Sequence, residues 1–529
     1  MNPITSLKAW RSQFIFLVLL ILGISSLAVS CAREPSVVKE GAGGEGSEVK
    51  GATFTSAEKC GECHTAQYTQ WLGSMHHYAQ VSPTMDLINR FALERTGQTI
   101  GLFCIRCHTP IGTIMGEPYG APNDQRSPIS LEGVSCEICH SVSKEHGQAQ
   151  ALFKLDPSHK VYGPYGKGGA NDPPMAKIDF HQAEQRDVFK KSEFCQHCHE
   201  LVVENGLRLQ ETYDEWKNSP WAKEGVPCQS CHMGPEPGKP SERPTGPIAE
   251  VGDLKLPDRP LSDHSFTGVD YHWTDEYPLR DKKGKITDSL RKRNVKLQAQ
   301  LTEKRQVLMH NAAKLHIDAA APFRPGNKGT LSVRIENTFS GHNFPTGFPW
   351  RQTWVEVTMT DKDGKAFFKS GDLDSNGDIR NRFSPDVSAG LVKLDEDLVS
   401  LQPKITVQGF KGNDVEVMFP LAEENAPSPT VFPAATPQLL YNGAINARVI
   451  KRSIPARESR SYTYRIPVPD GLRGKVTYNV RLLYRNLPPY YFNYLTRYYP
   501  QLKDLLDTMK SKLQIFEVDS VTGDVQVSE

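Results

Sequence analysis

The chain has almost no net charge to steer by and few cysteines to staple it. Lys plus Arg number 62 against 61 Asp plus Glu in 529 residues. No overall field therefore draws it to nucleic acid or to an acidic surface, and no nucleic-acid partner is expected. Eleven cysteines are too sparse for a disulfide scaffold. Hydrophobic residues make up 38% and charged residues 23%, which excludes global disorder. The one long apolar stretch near the start, Phe14 to Val29, spans sixteen residues, short of the roughly 20 that a spanning helix needs. The length excludes a single small core and implies roughly two to four domains.

That stretch follows Lys8 and Arg11 with no acidic side chain in the first thirty residues. A basic start, an apolar run and then small residues is the layout of a secretory signal, so residues 1–30 are expected to direct export. An uncleaved membrane anchor is the alternative. Leu27-Ala-Val-Ser-Cys31 approximates the sequence at which bacterial lipoproteins are lipidated, and a Gly-rich tether over 31–52 follows it. Lipid on Cys31 would hold the protein to a membrane; an incidental cysteine beside a cleaved signal is the other reading.

The remaining ten cysteines form five copies of one motif: Cys60-Gly-Glu-Cys63-His64, Cys104-Ile-Arg-Cys107-His108, Cys136-Glu-Ile-Cys139-His140, Cys195-Gln-His-Cys198-His199 and Cys228-Gln-Ser-Cys231-His232. Two thiols at this spacing reach the two vinyl groups of one porphyrin, and the adjacent histidine comes to lie under its iron. Zinc and thiol redox sites also use Cys-x-x-Cys, but neither demands His at the fifth place every time. Five covalently bound c-type haems are therefore expected. All five motifs fall between Cys60 and His232, too little chain for five separate globules. The porphyrins must serve as core and lie close together, the arrangement that electron transfer needs.

Sixteen histidines less five leave eleven that could cap irons from the other side. The segment from Cys60 through Trp71-Leu-Gly-Ser74-Met-His76 resembles the first haem motif, with its Trp-x-x-Ser-x-His, of the multihaem cytochromes c that include the tetrahaem carrier of nitrifying bacteria. Gly133-Val-Ser-Cys136 with His146 after it, and Gly225-Val-Pro-Cys228 with His264-Ser-Phe-Thr-Gly268, are similar to two further elements of that group. The resemblance implies that extra histidines reach across to irons held by other motifs. On it His76, His181 and His264 are the leading second ligands, followed by His146 and His342. His77 competes with His76, His159 could substitute, and His197 is expected to point to solvent or a propionate. His310 and His316 read as structural. Tyr68-x-x-Trp71-x-x-Ser74-x-His76 recurs as Tyr213-x-x-Trp216-x-x-Ser219-x-Trp221, with Trp in place of the ligand. If nothing replaces that ligand, one iron could be open.

After His232 no motif recurs. Pro235 to Arg280 is rich in Pro, Gly and charge and reads as irregular chain wrapped over the haems. Residues 286–315 carry a helical spacing of leucines. Beyond them the period changes to two, at Leu331–Ile335, Trp354–Met359, Tyr462–Ile466 and Val476–Leu482, with a hairpin turn at Asp361-Lys-Asp-Gly364. Many short strands suggest an immunoglobulin-like β-sandwich over 316–529, behind a mostly α, irregular pentahaem domain over 53–285. Gly341-His342-Asn-Phe-Pro-Thr-Gly347 resembles a loop of β-domains attached to multihaem cytochromes, which implies that His342 leans onto a haem. Asp372, Asp374, Asn376 and Asp378 alternate like the first half of a calcium loop, but Phe383 stands at the twelfth place, where Glu is usual. An acidic turn is the competing reading.

The function expected is an exported electron carrier with a packed row of mostly bis-His haems. It would exchange electrons with other redox proteins of the cell envelope, in the periplasm or at the outer membrane, and oligomerisation is compatible with it. An oxidoreductase acting on a small nitrogen or sulfur compound at one open haem, or a subunit of an extracellular haem filament, are the alternatives. No Cys-x-x-Cys-Lys site of the kind that marks pentahaem nitrite reductases is present.

Overall fold

A haem motif leaves its own mark on the backbone. Cysteines three apart lie on one face of a helical turn, and each motif is built on a short helix: Ala57–Gly61, Ile105–His108, Cys136–His140, Glu193–His199 and Cys228–His232. Among the described residues the chain between them is mostly turns, with three two-stranded ladders: β1 (Val161–Gly163) with β2 (Ala183–Gln185), β3 (Leu201–Val202) with β4 (Arg208–Gln210), and β5 (Thr245–Pro247) with β6 (Asp258–Pro260). These coordinates, a computed structural model, describe residues 54–528 apart from 96, 99, 143–150, 152–154, 157–159, 167–182, 203–206, 254–255, 280–284, 321, 409–413 and 418–447. The signal, the tether with Cys31, His146, His159 and His181 lie outside them.

The helix Asp288–Ala312 begins where the Thr287 hydroxyl accepts from the Leu290 N–H, and runs straight into β7 (Ala313–Ala320). Its Leu301, Leu308 and Met309 are buried, and Leu297 and Leu301 close over Gly73 beside the first motif. No helix among the described residues is long and apolar enough to cross a membrane.

The C-terminal part is β-rich. One antiparallel sheet has the order β10 (Ala366–Ser370), β9 (Gln352–Thr360), β15 (Gly474–Arg485), β16 (Phe516–Val527); a second has β14 (Ser459–Pro467), β8 (Lys328–Asn337), β7. In β8 buried and half-buried residues alternate, as the period-two pattern requires. Leu331, Val333 and Ile335 of one sheet and Val355, Val357, Val480 and Leu482 of the other belong to one apolar core. A third antiparallel sheet joins β11 (Lys404–Gln408) to β12 (Asp414–Val417) and β13 (Arg448–Ile450). Gly364, at φ 78° in the turn between β9 and β10, adopts the left-handed conformation the hairpin needs.

The haem-motif segment and the β-rich part share one core. Tyr78, Leu87, Phe91, Tyr271 and Trp273 join the β-strand residues in it, and Phe91 meets Tyr498 edge to face at 5.3 Å. A bidentate ion pair joins Asp270, from the wrapping segment, to Arg351 just before β9, with the second contact at 2.7 Å. Burial alone would raise the Asp270 carboxyl, but the Arg351 guanidinium outweighs it and holds the acid below its ordinary range.

Arg351→Ala is expected to lower the unfolding free energy by about 2–3 kcal/mol, the low end for a paired charge left alone, because Asp270 keeps 37% of its side chain exposed. Native Asp270 binds its proton only below the pH at which unfolded Asp does. The contribution is thus fully present above about pH 4 and fades as pH falls through the lowered native value. Denaturant titrations from pH 3 to 7 should show the variant losing this slope.

Candidate functional site

An imidazole presents one nitrogen to a metal when its other nitrogen is engaged. Four motif histidines meet that condition with a backbone carbonyl, which can only accept, so Nδ1 must donate. The partners are Ile248 for His64 (2.8 Å), Ala79 for His108 (2.9 Å), Tyr162 for His140 (2.6 Å) and Thr267 for His232 (3.0 Å). His199 has the Gln210 side-chain amide 3.4 Å from Nδ1, whose oxygen can take the ring proton with the amide turned. Engagement of Nδ1 is the arrangement in which an imidazole can offer Nε2 to a metal.

The spare histidines divide. His76 comes to His199 with ring centres 6.2 Å apart, and His342 faces His232 at 6.4 Å with ring planes 12° apart. A metal–imidazole bond of about 2 Å and a ring centre about 1 Å behind its nitrogen put two rings on one metal roughly 6 Å apart. Both pairs have their ring centres at that separation. Nδ1 of His76 is buried and lacks a hydrogen-bond partner among the described residues. His264 lies within electrostatic reach of His64 and His76; its Nδ1 donates to the Ser262 carbonyl at 2.9 Å, and that of His342 to Asn343 at 2.9 Å. Phe266, edge-on to both His76 (4.4 Å) and His264 (5.6 Å), holds φ at 46°, a conformation that costs a bulky residue energy and persists where packing enforces it.

Burial keeps these rings neutral. It is the largest cause in lowering His76 to about 3 and His199 to about 4, and it also lowers His108, His232, His264 and His342. A neutral imidazole is the ligand form. Burial likewise pushes the Cys104, Cys139 and Cys231 thiols up to about 12, as in an apolar seat.

The motifs touch through sulfur. Cys60 meets Cys136, Cys107 meets Cys198, and Cys195 meets Cys228, each in hydrogen-bonding contact. Cys139 lies within electrostatic reach of Cys195 and Cys198. The first motif thus adjoins the third, and the fourth adjoins the second, third and fifth.

His77 is in neither pair: its ring packs on Trp71, and its Nδ1 donates to the Leu72 carbonyl at 2.9 Å, the same kind of bond that the motif histidines make. His197 is buried at 4% exposure, not directed to solvent, because it sits on the inner side of the helix Glu193–His199. His310 and His316 bond Val518 and Glu336 in the β-rich part. Sequence reasoning passed over His272, buried, stacked on Tyr78 at 4.2 Å and bonded to Gln298 at 2.7 Å; its neighbours Tyr271 and Trp273 are the signal that it enters a core. The calcium candidates are engaged within the fold. Asp372 pairs with Arg380, Asp374 accepts from the Asn376 and Asp378 N–H groups and from Ser384, Asn376 donates to Asp386, and Asp378 accepts from the Tyr490 N–H. Among the described residues no three His, Cys, Asp or Glu side chains gather to hold a free cation.

The repeat is real in three dimensions. Trp71 Nε1 donates to the Val134 carbonyl before the third motif, and Trp216 Nε1 to the Val226 carbonyl before the fifth, both at 2.9 Å. The glycine before each valine, Gly133 and Gly225, has φ of 65° and 73°, and a Cβ on Gly133 would come within 2.5 Å of the His76 carbonyl oxygen.

Compared with known proteins, residues 59–141, which hold the first three motifs, match the family described as cytochrome c554 and c-prime. A penta-heme cytochrome c552 from Thermochromatium tepidum is similar in fold, with a TM-score of 0.53 over 89% of this chain and 99% of that one, at 17% identity. Comparison with curated proteins found no match.

Trp71→Phe keeps the ring but leaves the Val134 carbonyl without its donor. It should cost about 1–2 kcal/mol, read as an earlier thermal transition in Soret absorbance.

Proposed function

We propose that the chain is a multihaem cytochrome c, an exported pentahaem electron carrier whose haems are held mostly between two histidines. The observation that carries this reading is the pair of imidazole couples, His76–His199 and His342–His232, at the spacing of two rings on one metal. A c-type haem, once attached, supplies one-electron exchange at its iron. The ten motif cysteines would bind it through thioethers, and His64, His108, His140, His199 and His232 would ligate through Nε2. Backbone carbonyls hold four of these rings in one tautomer, so no ligand need reorient when charge changes. The buried, neutral rings of His76 and His342 exclude water and would serve as second ligands at two of the irons. His264, near His64, is assigned to the first iron. His146 and His181, outside the described residues, stay candidate second ligands on the family resemblance, with no iron assigned to either.

Sulfur contacts between motifs keep neighbouring haems within reach of each other, with the fourth motif between the second, third and fifth. The two facing sheets are read as an immunoglobulin-like sandwich. Anchoring through Cys31, a place in the periplasm or at the outer membrane, and exchange with other envelope redox proteins complete the proposal. Calcium at Asp372–Asp378 is not part of it.

Intact mass with a pyridine haemochrome assay should give five haems per chain, and three or fewer would end the pentahaem reading. Carbon monoxide should barely change the reduced spectrum, whereas His76→Ala and His342→Ala should each turn one haem high-spin. A wild-type protein with a clear ligand-binding haem would favour an enzyme instead. Cys31→Ser should move the protein from the membrane to the soluble fraction; a wild type already soluble after export argues against the anchor.

A further inference from the structure

The two copies of the Trp-x-x-Ser element are built alike up to their last residue. In the first copy that residue is His76, which faces His199. In the second it is Trp221, 8% exposed, and no sixth motif follows for it to face. Its ring lies 6.2 Å from Phe339, and the Arg457 guanidinium sits 4.0 Å above it. Arg457 is itself clamped by both carboxylate oxygens of Glu224, the second at 2.7 Å. Its backbone is in the left-handed region at φ 60°, a cost for a non-glycine residue that the surrounding contacts must outweigh.

Phe339 and Arg457 flank the loop that presents His342. Asn337, at the end of β8, is fully buried and donates to the carbonyls of His342 and Ile454. On the loop's other side the helix Thr212–Lys217 of the same second copy grips it again. Glu215 accepts from Thr346, Lys451 bridges Glu211 and Glu215 at 2.6 and 2.7 Å, and Gly341 lies against Trp216. The whole second copy is turned toward the loop that carries the partner of His232.

From this we infer that Trp221 is a positioning residue for His342: the second copy has exchanged direct ligation for seating the β-region loop that supplies the ligand in its place. The inference rests on His342 capping the iron at His232 and goes beyond it by assigning the clasp of Trp221, Phe339, Arg457 and Glu224 to that task.

The test uses the full-length holoprotein and reads the spin state of the oxidised irons by electron paramagnetic resonance, with carbon monoxide binding to the reduced form. Trp221→Ala should give the same new high-spin signal as His342→Ala, up to one haem per chain, and Trp221→Phe should restore the low-spin spectrum. Arg457→Asn, a residue that tolerates the left-handed backbone, removes the guanidinium without removing the ring. It should give part of that signal and keeps the test open should Trp221→Ala fail to fold. If His342→Ala turns one haem high-spin while Trp221→Ala and Arg457→Asn leave all irons low-spin, the inference is overturned and the ligand assignment stands. If His342→Ala leaves every haem low-spin, the ligand assignment itself fails, and the inference with it.

Discussion

A bond from imidazole Nδ1 to a backbone carbonyl sets most of this architecture. It fixes the tautomer, aims Nε2, and needs an unpaired carbonyl at the right place. Regular secondary structure consumes its carbonyls. Ile248 and Thr267, which hold His64 and His232, come from the Pro- and Gly-rich segment after the fifth motif, and Ala79, which holds His108, from the turn after His77. The irregularity of this half is thus a source of ring partners. Short ladders remain in it, and the fourth ring partner, Tyr162 for His140, lies on one of them, at β1.

The two halves solve the problem of a core differently. The β-rich part buries its own alternating aliphatic residues between sheets. In the haem-motif half the buried apolar residues are scattered, with Leu87 and Phe91 in the shared core, a small cluster around Leu93 and Phe103, and Ile105, Ile111 and Ile138 beside the attachment motifs; porphyrins attached there would complete that interior. Where the halves meet, the contacts are aromatic and ionic: Phe91 with Tyr498, Asp270 with Arg351, Trp221 under Arg457.

The attachment motifs could be found from sequence because covalent chemistry dictates a short, fixed spacing. The long strands could be found because period two survives any tertiary context. The choice between His76 and His77 was open to sequence, since one step along a turn decides which ring faces inward; in the fold it is His76 whose ring stands beside a motif histidine, His199, while His77 packs on Trp71. His197 looked peripheral because it sits between two motif cysteines, yet the inner face of its helix buries it. His272 has no spacing to betray it. The role of Trp221 was hidden for another reason. The repeat put Trp221 where the first copy has His76, but the partners of that Trp, Phe339 and Arg457, lie more than a hundred residues downstream, and only the folded chain brings them together.

That distance also has a meaning in time. A chain is made from its N-terminus, so the fifth motif is complete long before His342 exists. Until the β-strands around residues 341–347 have paired, the ring opposite His232 is absent. A chain truncated before β8 would keep all five attachment motifs and lack the ring that stands beside His232.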